Sequence, residues 1–405
     1  MAERHAVVIG AGITGVLTAR QLLLDGWQVT LLEGAHVGAG SSSRTAAGIR
    51  QQFSTPGTVW GMRYCVDFYR RFQTEVETGE PVIVQNGYLF LHDDATRWAE
   101  ACKVVEMQRS VGLEVDMLDG AALRERFPWV GEALLGGTHC ATDGFLYPHL
   151  IYNEGARRVE ELGGTLVKKA PVTGCTLSGD RIASVTTPKG TFAADLFVDA
   201  TNAWTRRLGE VLGADLLEVA PLKRYLWFLA RGGPMSADTL AHMPLTIAPT
   251  GAYCRPDNAD TLLMGKKHDT PPDWAFAYDD QDAIEADYSH DGGIDAKPFE
   301  LWMELAAVIP DLESFDGFSA TTGGYYATTP DHNPFLGFDR KRPNLLRLVG
   351  FSGHGAMMAP FTARVATALA DAGHDLDAMD LEGTSVPLDA FQIGRAYAHA
   401  ESMVI

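Results

Sequence analysis

Ala6-Val7-Val8-Ile9-Gly10-Ala11-Gly12-Ile13-Thr14-Gly15 opens on a β-branched apolar run and closes on three spaced glycines. The run suits a short strand buried on both faces. Behind it Val16, Leu17, Ala19, Leu22 and Leu23 recur at helical spacing, and Asp25-Gly26 ends that helix. Val29-Thr30-Leu31-Leu32 is a second strand ending at Glu33. The whole is a β-α-β unit. Each glycine has its own physical reason. Gly10 allows the tight turn, Gly12 lets backbone approach a pyrophosphate, and Gly15 lets helix pack on strand. The helix N-terminus offers N–H groups and partial positive charge to an anion. Glu33, 18 residues beyond Gly15, is placed to accept hydrogen bonds from ribose hydroxyls. The pattern predicts a dinucleotide site. The alternative is a glycine turn that joins strand to helix and binds nothing.

Residues 34–50, GAHVGAGSSSRTAAGIR, are too long and too rich in small residues for a simple turn. An NAD dehydrogenase usually resumes strand and helix after the acidic residue. Here Ser41, Ser42, Ser43 and Arg44 follow instead, and small residues permit close approach to a flat ring and its phosphates. A helix is expected over 58–78, another from Pro148 to Leu162, and strands near 165–168, 172–178 and 182–187. Ala194–Ala200 and Leu345–Gly350 read as buried strands, and an Ala-rich helix as running from Met357 to Ala372. Between them, residues 216–323 carry strands at Tyr225–Ala230 and Thr261–Gly265 and an acidic, Pro-rich stretch at 269–299. That stretch reads as a lid, a partner surface or a solvated loop.

The 405-residue chain has 46% hydrophobic and 21% charged residues, ordinary for a globular protein and unlike a disordered one. Its net charge of −19 opposes broad binding to nucleic acid or anionic membrane. No apolar run approaches the ~18 residues of a membrane span, and MAERHAVVIGAG reads straight into a strand without a signal-peptide pattern. Cys65, Cys102, Cys140, Cys175 and Cys254 are odd in number and scattered, with no Cys-x-x-Cys spacing. A reducing cytoplasm is therefore expected, without disulfide framework or structural zinc. Asp331-His332-Asn333 reads as a turn after Pro330 rather than a metal site.

Four segments, VVIGAGITG…LLE, GAGSSSRTAAGIRQQF, DLFVDATNAWT and GGYYATTPDHNPFLG…LVGFSGHGAMMAP, together resemble the D-amino-acid-oxidase-like FAD amine oxidoreductases. The nearer resemblance is to the branch of sarcosine oxidase, dimethylglycine dehydrogenase and the L-proline dehydrogenase flavoprotein subunit. It implies an α/β protein of two domains. A discontinuous Rossmann-like FAD-binding domain would come from 1–80, 141–215 and 324–405. A sheet-containing substrate domain would come from 81–140 and 216–323, with the site between them. By this resemblance Gly10, Gly12, Gly15 and Glu33 bind the ADP half of FAD. Ser42, Ser43 and Arg44 line its phosphates and flavin edge, and the Val172 backbone faces the adenine. Thr201 and Trp204 contact the cofactor, although glycine often stands where Asn202 does; Trp204 also reads as a core aromatic. Gly353, His354 and Gly355 approach the flavin pyrimidine ring, and the helix near Met357 points its N-terminus at the flavin. His354 equally reads as a structural loop residue. Arg50 matches an arginine that binds the substrate carboxylate, the alternative being a surface or interdomain ion pair. The reaction implied is oxidation of a C–N bond by hydride transfer to flavin N5, giving an imine that hydrolyses.

Three departures narrow this. Gly324 stands where some members carry a flavin-tethering cysteine, so FAD is expected to be non-covalent. Met357 stands where monomeric sarcosine oxidase has a second carboxylate contact, and Tyr326 where glycine and D-amino-acid oxidases have an arginine. Leu263 aligns with an oxygen-activating lysine, with Lys266 and Lys267 nearby, so the electron acceptor is oxygen or another carrier. Tyr253, Tyr325 and Tyr326 are candidate pocket walls, Tyr253 and Tyr326 being grouped with Arg50 at the reacting end. The substrate expected is a secondary, N-alkyl or cyclic amino acid. A D-amino-acid or glycine oxidase, a flavoprotein subunit docking to a partner, and a flavin binder without catalysis remain alternatives.

Overall fold

The computed structural model describes residues 4–231, 235–267, 270–276, 281, 297–397, 400, 401 and 403. The acidic 269–299 stretch lies mostly outside the described residues, which include only 270–276, 281 and 297–299 of it.

The apolar run near the N-terminus forms the strand His5–Ile9 at the centre of a six-stranded sheet. Gln28–Leu32 and then Thr165–Val167 extend the sheet on one side, and Leu196–Asp199 and Leu345–Val349 on the other, all parallel. Phe335–Phe338 closes the second edge antiparallel. Helices Ile13–Leu24, Pro148–Glu161 and Gly355–Ala372 belong to one face, where Val16, Leu17, Ile151 and Phe361 share a core with Ala6, Val8 and Leu31. The other face buries Val7, Ile9 and Phe197 against a three-stranded meander, 174–193, and the helix Thr205–Leu212. Continuous apolar strands follow from this two-sided cover.

A second sheet of eight strands is mostly antiparallel. It takes Tyr88–His92, Asp116–Asp119 and Gly136–Cys140 from one part of the chain and five strands between 220 and 328 from another. The strand expected at Tyr225–Ala230 starts earlier, at Ala220, because it pairs along its length with Gly317–Thr328. That second strand delivers Tyr325 and Tyr326 to the junction of the two sheets. The helices near 58–78 and 357–372 run Pro56–Glu75 and Gly355–Ala372. Among the described residues no helix is long and apolar enough to cross a membrane.

Candidate functional site

A cavity of about 600 Å³ opens beyond the C-terminal end of the strand His5–Ile9, the usual ligand position on such a sheet. Gly10 and Gly12 form its floor. Gly10 has φ +104, and a Cβ there would stand 2.8 Å from the Ala200 carbonyl oxygen. A Cβ on Gly15 would lie 1.8 Å from the Gly10 oxygen. Gly15 therefore lets the helix sit on the turn, and does not itself line the cavity. Gly12 gives the helix no side-chain cap, and Ser42 reaches across to accept the Ile13 N–H at 3.0 Å. Glu33 closes the wall: one carboxylate oxygen accepts the Ala11 N–H and the other the Ala35 N–H, both at 2.8 Å. Burial pushes its carboxyl up, opposed by those two N–H groups, which favour the charged form.

Arg44, Val172, Thr201 and Trp204 also line the cavity. Ser43 does not; it is exposed, its hydroxyl donating to the Gly40 carbonyl. Thr201 is set by Asp199, which accepts its N–H at 2.9 Å and its hydroxyl at 2.6 Å. Asp199 in turn meets the Arg347 guanidinium at 3.0 Å, and Arg347 reaches Asp339 at 2.7 Å. Next to Thr201, Asn202 has φ +51, and its Oδ1 accepts the Gly350 N–H at 3.0 Å. Asparagine tolerates the left-handed region, so it stands in for glycine and adds a tie to the last strand. Asn202→Gly keeps an allowed φ but leaves the Gly350 N–H unmet, so it should lose about 1 kcal/mol in urea unfolding, whereas Asn202→Ala adds an unfavourable φ and should lose about 2–4 kcal/mol.

Trp204 stands edge-on to Phe276 at 5.2 Å, and Phe276 stacks on Tyr325 at 4.1 Å. The Tyr325 hydroxyl donates to Asp273 at 2.7 Å. The segment 270–276 thus backs the cavity wall, joined by Arg207, whose guanidinium lies 4.8 Å over Phe276 and which lines the cavity. Sequence reasoning missed this layer. The three-residue step from Trp204 to Arg207 was the available signal.

Beyond Tyr326 and Gly353, which also line the cavity, lies a second, buried constellation. Arg50 is fully buried. It donates to the Gln52 and Met403 carbonyls and, at 3.3 Å, to His354 Nε2. Its guanidinium sits 4.0 Å over the Phe53 ring, and its side chain also bonds Tyr88. Burial lowers the arginine's pKa, opposed by Tyr88, Glu401 and Asp143. Burial first, then Arg50 and His332, holds His354 well below the usual histidine range. Its neutral ring can therefore accept from Arg50, a group that only donates. Gly353 and Gly355 line the cavity as expected of that turn, but the His354 side chain does not. It packs edge-on against Phe53 at 5.2 Å and holds Arg50. Met357 is buried in the first core and is not a wall residue.

Tyr253 stands behind Tyr326, and their hydroxyls are hydrogen-bonded. Burial raises both phenols, against the Arg224 guanidinium, which lies 5.8 Å from the Tyr326 ring. A buried carboxylate unforeseen from sequence, Asp143, fixes the Arg50 loop. Its Oδ1 accepts the backbone and side-chain N–H of Gln51, both at 2.9 Å, and its Oδ2 accepts from Gln52 at 3.2 Å. Burial pushes its carboxyl up to about 6, against those donors.

A Cβ on Gly324 would stand 2.8 Å from the Arg44 Cβ, and none of the free cysteines lines the cavity. Leu263 is buried beside Tyr88 and Tyr253. The Lys266 ammonium meets both Glu304 oxygens at 2.7 Å, while Lys267 is exposed. Asp331 binds Arg395 at two points, each 2.7 Å, and its Oδ1 accepts the Asn333 N–H at 3.2 Å, the pattern of a turn. Among the described residues no three His, Cys, Asp or Glu converge on a metal position.

A glycine turn against a helix N-terminus, with a buried carboxylate on the adjacent strand, defines a Rossmann-type dinucleotide-binding protein. The chain belongs to the DAO family, described as FAD dependent oxidoreductase, whose model matches residues 5–369. It is an FAD-dependent oxidoreductase, and the donor set of the cavity fits that cofactor. FAD-dependent oxidoreductase domain-containing protein 1 of Bos taurus is 27% identical over 412 residues, covering 91% of this chain and 81% of that protein. Glycine oxidase of Geobacillus kaustophilus (strain HTA426) is 25% identical over 374 residues, covering 89% and 92%. The crystal structure of L-proline dehydrogenase from P. horikoshii superposes with TM-score 0.79 at 27% identity, covering 92% of this chain and 94% of that one.

Proposed function

We propose that this enzyme oxidises the C–N bond of an amino acid, with secondary, N-alkyl or cyclic amino acids preferred. The observation that carries the reading is the buried Arg50 guanidinium, bonded to Tyr88, which in turn lies near the paired hydroxyls of Tyr253 and the cavity-lining Tyr326. FAD, held by the glycine turn, Glu33 and the cavity wall, would supply a two-electron hydride acceptor. Arg50 forks the substrate carboxylate and so fixes which C–H faces the flavin. His354 and Asp143 hold Arg50 and its loop in place. The aromatic walls exclude water and favour an amine over bulk solvent. The likeness to L-proline dehydrogenase supports a secondary amino acid. The likeness to glycine oxidase favours a primary one as the second reading.

FAD is held without a covalent bond in this reading, since Gly324 offers no thiol and packs on Arg44. An electron carrier other than oxygen is the acceptor, which makes room for a partner subunit. Lys266 is committed to Glu304, and no lysine is among the described residues lining the cavity. In this reading an FAD domain spans 1–80, 141–215 and 324–405 and a substrate domain 81–140 and 216–323, although the strand Gly317–Thr328 of the second sheet runs across the boundary at 324.

Anaerobic titration with sarcosine, dimethylglycine, L-proline and D-alanine tests the reading. A secondary or tertiary amino acid should bleach the flavin band, and air should restore it slowly. Arg50→Lys keeps charge but loses the fork, so half-saturation by a carboxylated amine should rise about tenfold. Bleaching by D-alanine alone, or an unchanged half-saturation in Arg50→Lys, overturns it.

A further inference from the structure

Resting on Arg50 as the carboxylate anchor, we propose that the chain carries its own occupant of that anchor. The Met403 carbonyl takes one arm of Arg50, Glu401 fixes it there, and a substrate carboxylate binds by displacing it. A guanidinium buried this completely needs acceptors whether or not substrate is present. Three of its partners are local or rigid: Gln52 lies two residues away, His354 caps the helix Gly355–Ala372, and Tyr88 stands in the strand Tyr88–His92. The fourth, Met403, comes from 353 residues away in sequence and belongs to no helix or strand.

Side chains hold that segment in place. The Glu401 carboxylate, 2% exposed, accepts the Ser54 N–H at 3.0 and 3.2 Å, the Ser54 hydroxyl at 2.7 Å and the Met403 N–H at 2.8 Å. The Glu401 N–H donates to the Asp331 carbonyl at 3.0 Å, and Asp331 is clamped by Arg395. The Met403 side chain packs on the apolar cluster of Tyr88, Phe90, Tyr253 and Leu263. Met403, held by Glu401, is therefore a plug in the cationic corner of the substrate site.

The chemistry makes the exchange selective. A carbonyl is neutral and meets Arg50 through one atom. A carboxylate is charged and meets it through two, the stronger arrangement. An amine without a carboxylate gains nothing to offset the release of Met403. Apparent affinity for a carboxylate is lowered by the fraction of chains in which the plug is in place.

Acetate binding to the FAD-loaded full chain, measured by calorimetry, is the test. Glu401→Ala should bind acetate at least about tenfold more tightly than the native chain, and Ser54→Ala should move the same way by less. In the native chain, acetate should speed amide exchange at Glu401 and Met403, a readout that stands even if Glu401→Ala fails to fold. Acetate affinity equal in all three chains, with exchange unmoved, overturns the plug. If Arg50→Lys still weakens acetate, the carboxylate anchor survives that result. If Arg50→Lys leaves acetate unaffected, the anchor and the plug both fall.

Discussion

Gly15→Ala should yield a protein without flavin, its melting transition lowered by many degrees or lost. The added Cβ would stand 1.8 Å from the Gly10 carbonyl oxygen and 3.0 Å from its carbon. Both are backbone atoms, so no rotamer change relieves the contact. The helix Ile13–Leu24 would have to lift off the turn, and its packing on Gly355–Ala372 and Pro148–Glu161 would lift with it. Clashes of this kind belong to the tail of mutational effects above about 4 kcal/mol. Gly12→Ala is the instructive partner. Its Cβ would meet only Ser42 Oγ, at 3.0 Å, the end of a small side chain. That variant should fold and lose FAD affinity instead, because Gly12 clears the approach of the pyrophosphate. The flavin-to-protein absorbance ratio and a melting curve separate the two. Full flavin content and native melting in Gly15→Ala would contradict the account.

Arg347→Met should lower stability by about 3–5 kcal/mol in urea unfolding. The Arg347, Asp199 and Asp339 side chains have no exposed surface. Arg347 spends every nitrogen: Nε on Asp199 at 3.0 Å, Nη1 on Asp339 at 2.7 Å, Nη2 on the Thr205 hydroxyl at 2.6 Å. Methionine fills similar space but leaves two carboxylates buried beside no cation. Because Asp199 also orients Thr201, FAD affinity should fall together with stability. Arg347→Lys should lie between, since an ammonium cannot span both carboxylates and Thr205 at once. A loss below about 1 kcal/mol for Arg347→Met would mean the cluster relaxes into solvent.

None of Arg347, Asp199 and Asp339 stood out as a site residue in the sequence. Asp199 and Arg347 lie in segments that read simply as buried strands, and their pairing is set by the parallel register Asp199↔Arg347. Asn202 was visible as a departure from glycine, yet only its φ and its bond to Gly350 explain the exchange. His354 was legible as part of a Gly-His-Gly turn. That its ring leaves the cavity and serves Arg50 depends on Phe53 and on a contact 304 residues apart in sequence.

The sequence by itself determined the β-α-β unit, the glycine turn, Glu33, the helix opened by Pro148 and the strands on either side. These rest on local periodicity and on backbone limits that each residue carries wherever it stands. Only the tertiary structure decided what surrounds Arg50. Tyr88, Asp143 and the pair Glu401 and Met403 arrive there from three separate parts of the chain. A side-chain hydrogen bond depends on where packing leaves its donor and acceptor, and no periodicity along the sequence records that position.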